Sequence, residues 1–179
     1  MKVAKFGGSS VASASQIQKV LNIINSDDER KIIVVSAPGK RHSEDIKTTD
    51  LLLRLYEKSV AKLDYQNKKE EIIERYADII RDLNMDENIL TEFDDILEQR
   101  IKANQSNPPR LKDALLSCGE DFNARLIAQY NNAQGVPTTY VSPLDAGITV
   151  TNTPQFAQIL EESYDKIYNL RKIEGKIIV

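Results

Sequence analysis

The chain has 179 residues, of which 41% are hydrophobic, and its 24 lysines and arginines against 27 aspartates and glutamates give a net charge of −3. This composition excludes an intrinsically disordered chain and argues against non-specific nucleic-acid binding, which needs a basic surface. A single cysteine leaves no internal disulfide and no run of about 20 apolar residues could span a membrane, so we expect a cytoplasmic globular protein with neither a nucleic-acid nor a membrane partner.

The first part of the chain alternates short strands with a helix. Residues 3–6 predict a buried strand, which ends at residues 7–10, here named the first glycine loop. A helix follows, with apolar residues at helical spacing at Ile17, Val20, Leu21 and Ile24. Residues 32–35 are β-branched and apolar on both faces, as in a central parallel strand. They open into residues 36–40, here named the second glycine loop.

Residues 49–103 predict a helical subdomain inserted between the sheet elements. Three stripes of apolar residues recur at helical spacing, each with charged residues on the opposite face, as in amphipathic helices. The stripes are Leu52, Leu55, Tyr56, Val60 and Leu63; Ile72, Ile73, Tyr76, Ile79, Ile80 and Leu83; and Ile89, Leu90, Phe93, Ile96, Leu97 and Ile101. We interpret the charged faces as solvated surface.

The remaining pattern completes a chain of alternating elements. It predicts a helix at 110–131, a strand at 138–142, a short strand within a loop at 148–150, a helix at 154–171 and a strand at 176–179. Strands that alternate with helices indicate an α/β fold with a mostly parallel sheet between helices. Because the last buried-strand pattern has nothing after it, we expect residues 1–179 to be the N-terminal portion of a longer domain. A genuine C-terminal strand is the alternative.

The first glycine loop has the order strand, glycine pair, hydroxyls, helix, which is a phosphate-binding arrangement. Glycines let the backbone approach a ligand, and the positive end of a helix favours an anion. Lys5 adds a cation within a strand that otherwise looks buried, where an unpaired ammonium is costly. The alternatives are a plain tight turn for the glycines and a snorkelling side chain for Lys5. The glycine spacing of a P-loop or a dinucleotide-binding motif is absent.

The second glycine loop also follows a strand. Ligands of open α/β sheets bind beyond the carboxyl ends of the strands, so two such loops after neighbouring strands can face one crevice. Thr49 lies at the start of the next predicted helix, where a hydroxyl and free N–H groups can bind a carboxylate. The alternative for Thr49 is a simple helix cap.

Glu120 is the most informative single residue. It points away from the main apolar face of its predicted helix, yet Leu116 and Ala124 flank it on its own side, which predicts a buried carboxylate. Such a carboxylate needs a partner, either a substrate ammonium or a structural Arg or Lys. Gly119 costs the helix about 1 kcal/mol relative to alanine, so we expect something to pack close to it.

A protein-held metal is not predicted, because the sequence has one histidine and one cysteine and no cluster of the two. Any Mg²⁺ is expected to arrive with a nucleotide and to be held mainly by its phosphates.

Taken together, these segments resemble the N-terminal part of the aspartate kinases, within the amino acid kinase superfamily. Four motifs occur in the family's order: Lys5-Phe6-Gly7-Gly8-Ser9-Ser10-Val11, Ser36-Ala37-Pro38-Gly39-Lys40, Thr49-Asp50-Leu51-Leu52 and Ser117-Cys118-Gly119-Glu120. The opening heptapeptide is the most specific of them, and the resemblance runs over essentially the whole chain. Ser9 stands where the family often has threonine, a change that keeps the hydroxyl.

The resemblance implies a three-layer fold, in which ATP and an amino acid bind across the ends of the strands. It implies ATP-dependent phosphorylation of the L-aspartate side-chain carboxylate to 4-phospho-L-aspartate, with Mg²⁺ accompanying ATP. This step opens lysine, threonine and methionine biosynthesis.

The resemblance also implies roles for individual residues. Lys5 would be the catalytic residue, and Ser36 would lie near the transferring group. Thr49 and Glu120 would bind aspartate, with Glu120 taking the substrate ammonium. The residues that would meet ATP are Lys5, Phe6, Gly7, Gly8, Ser9 and Ser36.

In the family, the residues that bind adenine and the substrate α-carboxylate lie beyond Val179, and a regulatory region follows. We therefore expect residues 1–179 to be inactive alone and the full-length protein to be a homo-oligomer. The alternatives are a glutamate, acetylglutamate or carbamate kinase of the same superfamily, and a non-catalytic ligand-binding or assembly module with this fold.

Overall fold

The computed structural model of the chain describes residues 1–179. Its strands are β1 (Lys2–Phe6), β2 (Arg30–Val35), β3 (Thr138–Tyr140) and β4 (Lys176–Ile178). Its helices are α1 (Ala14–Asn25), α2 (Thr48–Val60), α3 (Gln66–Asp82), α4 (Asn88–Asn104), α5 (Pro108–Leu116), α6 (Cys118–Ala133) and α7 (Glu162–Ile167), with 3₁₀ turns at Gly8–Val11 and Tyr168–Lys172. None of these helices combines the length and the apolarity needed to cross a bilayer.

The four strands form one wholly parallel sheet in the order β1-β2-β4-β3. The strand at the end of the chain, β4, is therefore central, where it pairs with both β2 and β3. The β-branched run of β2 lies between β1 and β4, as the sequence predicts for a central strand. The predicted α/β fold with a parallel sheet is confirmed.

Strand β1 lies at the edge of this sheet, and this position corrects the expected burial of Lys5. Only one side of β1 is paired, so Val3 is 63% exposed and the Lys5 side chain is exposed too. The Lys5 ammonium is therefore solvated, and the expectation that it lies in a buried strand is wrong. An edge strand has one hydrogen-bonding side and part of both faces open, which the four residues of the pattern could not reveal.

The sheet is covered on both faces, because successive residues of a strand point to opposite sides. Ile33 and Ile178 join a core cluster of 30 buried residues under α1 and α6, whereas Ile177 belongs to a cluster of four on the other face. Leu170, in the C-terminal 3₁₀ turn, completes that smaller cluster. The three-layer arrangement expected from the resemblance is present, with one thick and one thin helical layer.

The predicted helical region at 49–103 forms α2, α3 and α4. Their apolar stripes do not enclose a separate core, because Leu52, Tyr76 and Phe93 belong to the same 30-residue cluster as the sheet residues. The helices therefore pack onto the sheet layer as one continuous interior.

The single helix predicted at 110–131 is two helices, α5 and α6, which meet at Ser117. Helix α5 begins after Asn107, whose side chain accepts a hydrogen bond from the Arg110 N–H, with prolines at its first two positions. Because α6 starts at Cys118, Glu120 and its neighbours lie in a first helical turn instead of mid-helix. This change decides the environment of Glu120.

The helix predicted at 154–171 is much shorter, since only α7 and the 3₁₀ turn after it are helical. The preceding segment folds back on itself through one antiparallel bridge between Val150 and Ile159, so the short strand at 148–150 is reduced to that bridge. Phe156 in this segment is 77% exposed and finds no core to pack against. Apolar spacing alone therefore overstated the helix.

Candidate functional site

A cavity of about 420 Å³ opens beyond the carboxyl ends of β1 and β2, where ligands bind in open parallel sheets. Four sources supply its walls: both glycine loops, the start of α2 and the start of α6. The lining residues are Gly8, Ser9, Ser36, Ala37, Pro38, Gly39, Lys40, Lys47, Thr49 and Glu120. The structure thus brings together five of the residues selected from the sequence, namely Gly8, Ser9, Ser36, Thr49 and Glu120.

The two glycine loops touch backbone to backbone at Gly8 and Gly39. A Cβ on Gly8 would lie 2.8 Å from the Ala37 carbonyl oxygen, and a Cβ on Gly39 would lie 2.7 Å from the Gly8 carbonyl carbon. The Gly39 N–H donates to the Gly8 carbonyl at 2.8 Å, and the Ser36 N–H donates to the Phe6 carbonyl at 3.1 Å. These two glycines are therefore required by close approach of the backbones.

Lys5, Phe6 and Gly7 lie just before the cavity and do not line it. The Lys5 Nζ lies 3.9 Å from the point where a Cβ on Gly7 would stand, so the ammonium is held over the first glycine of the loop. Its exposed position leaves it free to meet an anion that enters from the solvent side.

Thr49 reaches the cavity because α2 begins against the second glycine loop. The Thr48 N–H donates to the Pro38 carbonyl at 3.2 Å, and Thr48 is fully buried while Thr49 is only partly buried. The positive end of α2 and the Thr49 hydroxyl are thus presented to one wall of the cavity. This geometry suits an anionic group such as a carboxylate or phosphate.

Glu120 is exposed, which corrects the expectation of a buried carboxylate. It extends from the first turn of α6 into the cavity mouth, because the helix break at Ser117 places it at a helix start. It forms no ion pair within the chain. By contrast, its neighbour Asp121 is engaged by Arg100 at 2.5 Å and by Arg125 at 2.9 Å. Of the two adjacent carboxylates, Glu120 is the one available to a cationic ligand group.

The start of α6 is fixed by unusually close packing at Gly119. A Cβ there would lie 2.7 Å from the Ala37 Cβ and 3.2 Å from Leu52 Cδ1, which accounts for the glycine beside Glu120. The Tyr76 hydroxyl also donates to the Gly119 carbonyl at 2.8 Å. Burial raises the pKa of Tyr76 well above its ordinary value, so the phenol stays protonated and keeps donating.

Asn123 is a site-supporting residue that the sequence interpretation missed. Its Nδ2 donates to the Ser36 carbonyl at 2.7 Å, and the side chain is fully buried. A spacing of three residues from Glu120 places both side chains near one face of α6. A polar residue one helical turn from Glu120, between Phe122 and Ala124, was the available signal.

The charges around the cavity are divided. Lys40 and Lys47 lie on the side of the second glycine loop, and Glu120 lies on the side of α6. A ligand pair with phosphates near the lysines and an ammonium near Glu120 fits this division. No three His, Cys, Asp or Glu side chains come together as a candidate metal site.

Comparison with known proteins gives a consistent result. The sequence model of the amino acid kinase family matches residues 1–179. The chain is 47% identical over 178 residues to aspartokinase 3 of Bacillus subtilis. This match covers 99% of this chain and 39% of the Bacillus protein. It is 32% identical over 173 residues to chloroplastic aspartokinase 1 of Arabidopsis thaliana, covering 92% of this chain and 29% of that protein. The chain thus spans well under half the length of these relatives.

Solved structures agree with the sequence matches. The crystal structure of the aspartate kinase of Clostridium acetobutylicum superposes with a TM-score of 0.79 at 31% identity, over 98% of this chain and 37% of that one. Aspartokinase III of E. coli, solved in complex with aspartate and ADP, superposes with a TM-score of 0.79 at 22% identity, over 98% of this chain and 39% of that one. At this lower identity the E. coli structure supports the fold alone.

Proposed function

We propose that this chain, which belongs to the amino acid kinase family, is the N-terminal part of an aspartate kinase. The observation that carries the proposal is that residues of both glycine loops, Thr49 and Glu120 line one cavity. The identity of 47% to a Bacillus aspartokinase supports the choice of aspartate among the substrates of the family.

The proposed reaction transfers the γ-phosphoryl group of ATP to L-aspartate. An oxygen of the aspartate side-chain carboxylate attacks the γ-phosphorus, the bond from that phosphorus to the β–γ bridging oxygen breaks, and ADP leaves. The products are 4-phospho-L-aspartate and ADP. Because the carboxylate is already a nucleophile, the protein contributes mainly positioning and charge stabilisation.

The glycine loops suit the phosphate end of ATP. Gly8 and Ser9 present backbone without bulk, and Phe6 and Gly7 lead the chain into that turn. Lys5 lies over Gly7, from where it can offset negative charge as the γ-phosphoryl group moves, and Ser36 lies on the same wall. Mg²⁺, when it accompanies ATP, would neutralise phosphate charge and would be held mainly by the phosphates themselves.

The starts of α6 and α2 suit the amino acid. Glu120 would pair with the α-ammonium of aspartate, and Thr49 at the positive end of α2 would orient a carboxylate. The open position of Glu120 supports this role, because a carboxylate without a partner inside the chain can accept one from a ligand.

The proposal extends to the pathway, the cellular location and the oligomeric state of the complete enzyme. The product would feed lysine, threonine and methionine biosynthesis in the cytoplasm. The homo-oligomeric state of the full-length protein stays a prediction, which light scattering of that protein tests.

The substrate can be tested directly with the complete protein that contains this chain. ADP formation is followed with L-aspartate, L-glutamate, N-acetylglutamate or carbamate as acceptor, and hydroxylamine traps any acyl phosphate formed. We expect ATP-dependent hydroxamate with L-aspartate alone. Hydroxamate with another acceptor would assign the chain to a sister kinase, and no transfer to any acceptor would favour a non-catalytic module.

The first variant tests the catalytic role of Lys5. In the complete protein, Lys5→Ala should lower kcat by about a hundredfold, because the cation acts on charge that develops during transfer. The far-ultraviolet circular dichroism should not change, since Lys5 is exposed. Near-normal turnover of Lys5→Ala would remove Lys5 from the catalytic role.

The second variant tests the contact of Glu120 with the ammonium of aspartate. Glu120→Gln keeps the size of the side chain and removes its charge, so the KM for aspartate should rise by about tenfold or more while the KM for ATP changes little. Glu87→Gln, at an exposed carboxylate before α4, is the matched control. An unchanged aspartate KM in Glu120→Gln would contradict the ammonium contact.

A further inference from the structure

We propose that Arg75 is a positioning residue for nucleotide binding, because from helix α3 it fixes the two glycine loops relative to each other. The inference rests on the proposed function, since it assumes that these loops bind the phosphates of ATP.

The contacts of Arg75 join two distant parts of the chain. Its Nη2 donates to the Ala12 carbonyl at 2.9 Å and to the Gly39 carbonyl at 2.7 Å. Ala12 caps the 3₁₀ turn Gly8–Val11, which contains most of the first glycine loop, and Gly39 lies within the second glycine loop. One nitrogen of the guanidinium therefore joins the end of the turn that carries Gly8 and Ser9 to the second glycine loop.

This bridge complements the direct bond between the loops. On one side the Gly39 N–H donates to the Gly8 carbonyl at 2.8 Å, and on the other side the Gly39 carbonyl accepts from Arg75. Both polar groups of the Gly39 peptide are thus engaged. The approach of Gly39 to Gly8 leaves no room for a Cβ, so a shift of a few tenths of an ångström would alter the shape of the cavity wall.

The burial of Arg75 is difficult to explain by stability alone. Its side chain is 2% exposed, its Nη1 lies 3.4 Å from Asp45 Oδ2, and neither Nε nor Nη1 has a hydrogen-bond partner. A buried cation with unsatisfied donors is costly, and an apolar side chain of similar length often serves a core as well. The contacts that an apolar side chain could not replace are the two hydrogen bonds from Nη2 to the Ala12 and Gly39 carbonyls.

The test compares variants of two arginines on α3 in the complete protein. Arg75→Met keeps the length of the side chain and removes the bridge, and Arg75→Lys keeps the charge with a single nitrogen. Arg81→Met is the matched control, because Arg81 is 46% exposed and pairs only with Glu74 and Asp78. The readouts are the Kd of ADP by calorimetry, the KM of ATP and of L-aspartate, and the Tm.

We expect Arg75→Met to raise the Kd of ADP and the KM of ATP by about tenfold, as for the loss of a charged hydrogen bond. The KM of aspartate should change by less, because Arg75 makes no hydrogen bond or ion pair with α6, which carries Glu120. Arg75→Lys should fall between wild type and Arg75→Met, and Arg81→Met should match wild type.

Several outcomes would overturn the inference. These are an unchanged Kd of ADP in Arg75→Met, an equal loss of affinity for nucleotide and aspartate, or a lowered Tm as the only effect. If Arg75→Met does not fold, Arg75→Lys decides by the same criteria, and failure of both to fold assigns Arg75 to the core. Wild-type protein that transfers no phosphate to aspartate contradicts the proposed function, whereas active wild type with an unaffected Arg75→Met contradicts this inference alone.

Discussion

Gly119 shows how one missing methyl group can set the geometry of the candidate site. The Ala37 and Leu52 side chains occupy the space that a Cβ at this position would need. Helix α6 can therefore approach the second glycine loop closely enough for Glu120 to share a cavity with Gly8. The helix propensity lost at glycine is offset by this close packing.

The variant Gly119→Ala should lower the free energy of unfolding by about 1–3 kcal/mol, since overpacking outweighs the gain of about 1 kcal/mol in helix propensity. The KM for aspartate should rise in the complete enzyme, because Glu120 is displaced with the helix start. Urea unfolding and steady-state kinetics measure the two effects. Gly135→Asn is a suitable control, since Gly135 has φ +83° and no neighbour within 4 Å. A Gly119→Ala protein more stable than wild type would contradict the packing argument.

Asp45 should make stability depend on pH. Hydrogen bonds from the Arg41 side chain lower the pKa of Asp45 well below its ordinary value, with help from the nearby Arg75 charge. The unfolded chain, with a pKa of about 4 at this residue, then binds the proton more readily. The stabilisation is therefore complete above about pH 5 and is lost progressively as the pH falls below that value.

Urea unfolding between pH 6 and pH 3 measures this loss. Asp45→Asn should be less stable than wild type at pH 6, and the difference between the two proteins should shrink toward pH 3. Asp95→Asn, at an exposed carboxylate outside any ion pair, controls for the change in net charge. A constant difference across this range would show that charge at Asp45 does not stabilise the fold.

The two site residues whose burial was predicted wrongly illustrate what the sequence could not show. The structure places Glu120 in the cavity beyond the carboxyl ends of β1 and β2, whereas Lys5 lies just before that cavity. Their exposure depends on which strand is the edge and on where a helix begins. Both properties arise from pairing and packing between distant segments, which local apolar spacing does not encode.

At the scale of elements, three helices are joined by an aromatic cluster. Phe93 of α4 stacks on Phe122 of α6 with ring centroids 4.2 Å apart, and Tyr76 of α3 meets both rings edge-on. Because the Tyr76 hydroxyl also donates a hydrogen bond to the Gly119 carbonyl, this cluster connects the helical region α2–α4 to the start of α6. Helices α3 and α4 thus help to fix the start of α6, which carries Glu120.

Phe93→Ala should cost about 3–5 kcal/mol of unfolding free energy, because Phe93 is fully buried and its removal leaves a cavity. Phe156→Ala is the matched control: Phe156 is 77% exposed, so its loss should change stability by less than about 0.5 kcal/mol. Chemical denaturation of both variants makes the comparison. Similar losses in the two would mean that the cluster does not carry the packing assigned to it.

The success of element prediction followed the strength of the local pattern. The α3 stripe, which contains Ile72, Tyr76 and Ile80, repeats over several turns and was recovered as a helix. The region before α7 was overestimated, since Phe156 and Ile159 have helical spacing but no surface on which to pack. The break at Ser117 was missed because apolar residues continue across it in the same phase.

For the whole molecule, the two faces of the sheet differ in how much core covers them. One face has 30 buried residues beneath the helices, and the other has four. Residues 149–160 contain no buried residue and are held by the Val150–Ile159 bridge, by hydrogen bonds such as that from the Thr149 N–H to the Ser163 Oγ, and by hydrogen bonds to Arg110 and Asp113 of α5. The thinly covered face should therefore open first.

Hydrogen exchange followed by mass spectrometry tests this order. Peptides from residues 149–160 should exchange at a rate close to that of unstructured chain, whereas peptides from α6 should exchange only with global unfolding. The helix provides the internal control in the same sample. Equal protection of the two regions would show that the small cluster is as stable as the large one.

The contact of Gly8 with Gly39 has a consequence for nucleotide exchange. Most binding clefts widen when side chains along their rim change rotamer, but at Gly8 and Gly39 two backbones meet with no side chain between them. The two loops can separate here only if the Gly39–Gly8 hydrogen bond breaks, so we expect release of a spent nucleotide to depend on residues 41–47, which lead from the second glycine loop into α2. A covalent tether from residues 41–47 to the beginning of α6 would hold ADP in place, whereas a tether between the two glycine loops would not slow its release.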